Sequence, residues 1–84
     1  MPSPELVWII DDDQSIRWVL DKALAQADLH TCVFDSAEAA LAKLAKAPPS
    51  AILTDIRMPG MDGLGLLAQV RQTCPQVPAI IMTA

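Results

Sequence analysis

The feature that most constrains this chain is a run of five apolar residues, Leu6-Val7-Trp8-Ile9-Ile10, that stops at three consecutive aspartates, Asp11-Asp12-Asp13. The run is rich in β-branched residues and has no polar alternation. It therefore suits a strand covered on both faces, as in a parallel sheet. Two later runs repeat the pattern: Ala51-Ile52-Leu53-Thr54 ends at Asp55, and Ala79-Ile80-Ile81-Met82 ends at Thr83. A shorter, weaker strand is predicted over His30–Phe34 (HTCVF).

Between these runs the hydrophobic period changes. Ile16, Val19, Leu20, Ala23, Leu24 and Ala27 fall on one helical face, with Arg17, Asp21, Lys22 and Asp28 off it, so a helix is predicted over about 14–28. Asp13 is a candidate cap for it. Asp35-Ser36-Ala37-Glu38 reads as a capping-box start, with Asp35 as N-cap and Glu38 three residues on. The alanine-rich AEAALAKLAKA follows, anchored by Leu41 and Leu44 and stopped by Pro48-Pro49. Pro59-Gly60 marks a loop, and Asp62 is a candidate N-cap for a third helix. That helix carries Leu66, Leu67 and Val70 and closes before Pro75. The order is βαβαβαβ, whose connections require parallel crossovers and whose handedness puts helices on both faces.

Composition narrows the classes of function. Of 84 residues, 52% are hydrophobic and 19% charged, which excludes a disordered tail. Ten acidic against six basic residues give a net charge of −4, which argues against direct nucleic-acid contact. No apolar run approaches the ~20 residues that span a bilayer, so no membrane partner is expected. The start lacks the basic region and cleavage site of a signal peptide. Cys32 and Cys74 stand without CxxC spacing and are expected as reduced core residues, which places the chain in the cytoplasm.

In a parallel sheet all carboxyl ends lie along one edge, where ligands bind at a switch in strand order. That edge would gather Asp11, Asp12, Asp55 and Thr83. With the first and third strands as neighbours ~4.8 Å apart, Asp12 and Asp55 are close enough to share one cation. Crowded carboxylates without His or Cys suit a hard cation, and an incomplete oxygen cage suits Mg²⁺. A phosphoryl group is the natural partner of such a site, with one carboxylate as nucleophile and Thr83 placed to hydrogen-bond a phosphoryl oxygen. Taken singly, the aspartate run also reads as a solvated turn, and Asp55 as a loop acid. The coincidence of both at neighbouring strand ends is what favours a site. Elsewhere Trp8 reads as core, Trp18 lies off the apolar stripe, and His30 has no partner acid. Met58 and Met61 read as packing, and Gly60, Gly63 and Gly65 form no nucleotide fingerprint.

WIIDDDQSIRWVL, ILTDIRMPGMDGLGLL and PAIIMTA together resemble the first, third and fourth strand-end motifs of bacterial two-component response-regulator receiver domains. SIRWVL and DIRMPGMDGL are most similar to receivers of the nitrogen-regulation type, which control σ54-dependent transcriptional activators. The resemblance implies a flavodoxin-like (CheY-like) doubly wound sheet, here four strands in the order 2-1-3-4 with three helices. It implies that Asp55 is the phosphoacceptor, receiving its phosphoryl group from a histidine of a sensor kinase. Asp12 would ligate Mg²⁺ directly, Asp11 would assist largely through water, the Arg57 backbone carbonyl would complete the ligands, and Thr83 would be the switch hydroxyl.

Such receivers continue with a further helix, strand and helix, so residues 1–84 read as a partial receiver domain. Without those elements the family's phosphate-binding lysine and the aromatic partner of the switch threonine are missing. The fourth strand would present a bare apolar edge, and self-association through it is expected. The leading reading is a phosphoacceptor switch rather than an enzyme. An interaction module that no longer phosphorylates is the alternative. A Mg²⁺-dependent phosphohydrolase with Asp55 as nucleophile is less favoured, because neither a second positioned acid nor a substrate cap is visible.

Overall fold

The computed structural model describes residues 5–82, and Thr83 lies outside them. Its elements are β1 (Leu6–Ile10), α1 (Gln14–Gln26), β2 (His30–Phe34), α2 (Ala37–Leu44), β3 (Ala51–Asp55), α3 (Gly63–Thr73) and β4 (Ala79–Met82). The strands form one sheet in the order β2-β1-β3-β4, and every pairing is parallel. The connectivity is the one the sequence pattern predicts, and the strand order is the one the resemblance implies.

Alternation along the strands divides the apolar side chains between two faces. Trp8, Ile10 and Ile52 enter a core built with Ala37, Ala40 and Leu44 of α2 and Leu66 and Val70 of α3. Trp8 is 1% exposed, and its ring lies 4.8 Å from that of Phe34 in a tilted pair. The opposite face carries the row Val33, Ile9, Leu53 and Ile80, read across the strands from β2 to β4. Ile9 is fully buried there, whereas Val33 is 46% and Ile80 57% exposed at the two flanks. The apolar stripe of α1 is only partly covered: Ile16 and Val19 are exposed, Leu20 and Leu24 half-buried.

Three boundaries differ from expectation. α1 ends at Gln26, not near Asp28, because Asp28 turns left-handed with φ +62°. The Leu29 N–H then donates to the Leu24 carbonyl and the Asp28 N–H to that of Ala25, closing the helix in a Schellman-like turn. The N-cap of α2 is Ser36 and not Asp35: its Oγ accepts from the Ala39 N–H at 3.1 Å. α2 also stops at Leu44, three residues early, as the backbone turns ahead of Pro48 and Pro49.

Candidate functional site: an acidic edge at the strand ends

Asp11 is the first residue beyond β1. Its N–H still donates to the Phe34 carbonyl at 3.1 Å, so it continues the β1–β2 ladder and is only 5% exposed. Its Oδ1 accepts the Asp13 N–H at 2.9 Å, and Arg17 Nη1 donates to its carbonyl at 2.7 Å. Asp13 turns away to cap α1, accepting from the Ser15 and Ile16 N–H groups. Asp12 lies between them, exposed to solvent.

Asp55 is the last residue of β3 and is half-buried. Because Ile10 pairs with Thr54, the next residue on each central strand is an aspartate. The sheet therefore converges Asp11, Asp12 and Asp55 on one point: one carboxylate oxygen from each lies within 4.8 Å of the other two. Gly63 lets the start of α3 seat against the backbone of Asp55. A Cβ there would stand 2.2 Å from the Asp55 carbonyl oxygen, while its N–H donates to the Ile56 carbonyl at 2.8 Å.

Burial is the main force that pushes the Asp11 carboxyl above the ordinary value of 3.8. The Asp13 N–H opposes the shift, and the charges of Asp55, Asp12 and Asp13 add to it. A cation would relieve this stress. Three carboxylates with no nitrogen or sulfur donor form a hard, all-oxygen set, which fits Mg²⁺ chemically.

Two open clefts flank the acids. One, of about 490 Å³, is lined by Asp12, Arg57, Met58, Gly60 and Asp62, so Arg57 is brought to the same cleft as Asp12. The other, of about 470 Å³, runs between α1 and β4 past Ile16, Leu20 and Met82, with Asp11, Asp12 and Asp55 at its acidic end. Among the residues expected to act, Asp11, Asp12, Asp55 and Arg57 are thus gathered on one edge. Sequence reasoning missed Arg17 and Gly63. Arg17 sits four residues after Asp13 and off the apolar stripe, and that helical spacing back to the acids was the available signal.

Residues 7–84 match the family model for the response regulator receiver domain. The chain is 56% identical over 79 residues to the DNA-binding transcriptional regulator NtrC of Salmonella typhimurium, and 54% identical to that of Escherichia coli K12. In both cases the match covers 94% of this chain but only 17% of the relative's length. Among solved structures it is similar to the BeF3-activated receiver domain of nitrogen regulatory protein C, with a TM-score of 0.83 and 53% identity. That match covers 99% of this chain and 67% of the other. A CheY-like receiver domain protein from Methanospirillum hungatei superposes with a TM-score of 0.92 at 27% identity, covering 96% of this chain and 65% of its own.

Proposed function

Since the chain belongs to the response regulator receiver domain family and is of the NtrC type, we propose that it is the phosphoacceptor part of a two-component switch, with Asp55 as the acceptor. The observation that carries this is the convergence of the Asp11, Asp12 and Asp55 carboxylates within 4.8 Å at the carboxyl ends of the two central strands. In this reading an Asp55 oxygen attacks phosphorus, an acyl-phosphate O–P bond forms, and the P–N bond to a sensor kinase's histidine breaks. Asp12 and Asp55, with Asp11 behind them and the Arg57 carbonyl, would hold Mg²⁺. When bound, the ion offsets the negative charge of the phosphoryl oxygens against the carboxylates.

Asp11 keeps the turn in register through its hydrogen bond to the Asp13 N–H, and Arg17 holds the Asp11 carbonyl. Thr83, one residue beyond β4, is proposed as the switch hydroxyl. Control of a σ54-dependent activator and DNA contact would belong to other parts of a longer protein, and the setting is cytoplasmic. The reading is a switch and not a turnover enzyme.

The test is intact mass after incubation with acetyl phosphate and Mg²⁺, on this chain and on Asp55→Asn. One Mg²⁺-dependent, hydroxylamine-labile phosphoryl adduct on the unsubstituted chain alone is expected. An equal adduct on Asp55→Asn, or none on the folded chain, refutes the assignment.

A second reading, self-association, is favoured by the exposed Ile80 on β4, an edge strand among the described residues, and by the exposed Ile16 and Val19 on α1. Sedimentation should show dimers at high concentration that Ile80→Lys removes. A monomer throughout sinks this reading and leaves the first intact.

A further inference from the structure

Were Asp35 the N-cap of α2, a capping box would turn Glu38, in the first turn, back toward its own helix. It does not do so. Ser36 caps the helix, and Glu38 Oε2 instead accepts the Met61 N–H across 23 residues of sequence, at 3.2 Å. The same oxygen lies 2.5 Å from where a Cβ at Gly60 would be, and Gly60 has φ +76°. The carboxylate therefore rests on the β3–α3 loop at its left-handed residue, a place where only glycine leaves it room.

That loop, residues 56–62, supplies most of the wall of the cleft that Arg57 shares with Asp12. Its ends are tied locally, by the Gly63 N–H on the Ile56 carbonyl and by the Asp62 cap on Gly65. Met58, 8% exposed, anchors it from below. Glu38 is the polar hold that comes from a different element, and it grips four residues beyond Arg57.

We infer that Glu38 is a positioning residue for the metal-side loop. By fixing Met61 it keeps the Arg57 backbone in the cleft it shares with Asp12 and so tightens the binding of a divalent cation. The inference rests on the reading of Asp11, Asp12 and Asp55 as a cation site. It requires only a hydrogen-bond acceptor at position 38, not a charge, because the side chain acts through the backbone of the loop. Glu38→Gln keeps an acceptor and Glu38→Ala does not.

The experiment is a calorimetric Mn²⁺ titration of the 84-residue chain and of Glu38→Ala, Glu38→Gln and Asp12→Ala. Amide hydrogen exchange at Met61 and urea midpoints are measured without metal. Loss of the hold in Glu38→Ala should weaken Mn²⁺ binding about three- to tenfold and speed Met61 exchange. Glu38→Gln should stay within about twofold of the unsubstituted chain in both. Unchanged affinity in Glu38→Ala, with Asp12→Ala abolishing binding, overturns the inference and spares the cation site. Equal weakening in Glu38→Gln and Glu38→Ala also overturns it, since charge would then be the cause. Mn²⁺ binding that Asp12→Ala leaves untouched overturns the cation site itself, and the role of Glu38 with it.

Discussion

Two glycines on one turn of α3 offer a controlled perturbation of the acidic edge. Gly63→Ala would put a methyl carbon 2.2 Å from the Asp55 carbonyl oxygen and 3.0 Å from the Asp55 carbonyl carbon and the Ile56 Cα. Ordinary contact begins near 3.4 Å, so the methyl is short by about 1 Å against backbone that cannot swing aside. Overpacking of this kind costs roughly 1–3 kcal/mol, and the severity here points to the upper half of that range. The helix-propensity and chain-entropy gain of Gly→Ala returns at most ~1 kcal/mol. A net loss of about 2 kcal/mol follows, which in a domain this small lowers Tm by roughly 8–16 °C.

Gly65→Ala makes the same chemical change two residues later. Its nearest neighbour is Met61 Cγ at 3.0 Å, part of a flexible side chain, so this variant should remain within about 0.5 kcal/mol of the unsubstituted chain. Urea unfolding followed by far-ultraviolet circular dichroism measures both, with the slope m checked for constancy. The shifted backbone is also the one that bears Asp55, so Gly63→Ala should lose acetyl-phosphate labelling beyond what its folded fraction explains. Equal stability of the two alanine variants would refute the claim that α3 is seated against β3 through a missing side chain.

Two further outcomes are expected. Asp28→Gly should raise stability by about 0.5–1 kcal/mol in the same urea assay, because the left-handed φ of +62° is strained for aspartate and free for glycine. The folded-state pKa of Asp11 is raised, so the folded chain binds that proton more tightly than the unfolded one, and stability from this group falls as pH rises through the window between 3.8 and the raised value. Metal-free Asp11→Asn should therefore be more stable than the unsubstituted chain at neutral pH. The advantage should vanish below the ordinary carboxylate range and shrink when Mg²⁺ is added, as urea midpoints across pH would register.

Strand ends were legible because an apolar run that stops at an acid carries its own boundary, and the parallel order then put Asp11, Asp12 and Asp55 together. The caps at Asp13 and Asp62 were legible for the same local reason. The α2 cap slipped by one residue because Asp35 and Ser36 are both good capping residues, and only the backbone decides between them. α1 ran long in the sequence because hydrophobic period cannot register a single residue turning left-handed. Periodicity also identified an apolar face on α1 without revealing that Ile16 and Val19 would stay exposed, since a pattern names the face and not its cover. The reach of Glu38 to Met61 is a contact between distant segments, and no local signal encodes it.

Among the described residues the sheet has no hairpin, and this sets an order of events during synthesis. Val7 pairs with Thr31 on one side and Ala51 on the other, while Ile52 waits for Ala79. At about 5–20 residues per second, β1 leaves the ribosome between roughly two and nine seconds before β3 can join it. During that interval the most apolar strand of the chain is unpaired on at least one edge, and the charges that flank it are Glu5 before it and the three aspartates after it. Asp11 and Asp12, which meet Asp55 in the finished site, therefore stand earlier as gatekeepers beside an unpaired strand, before Asp55 has been made.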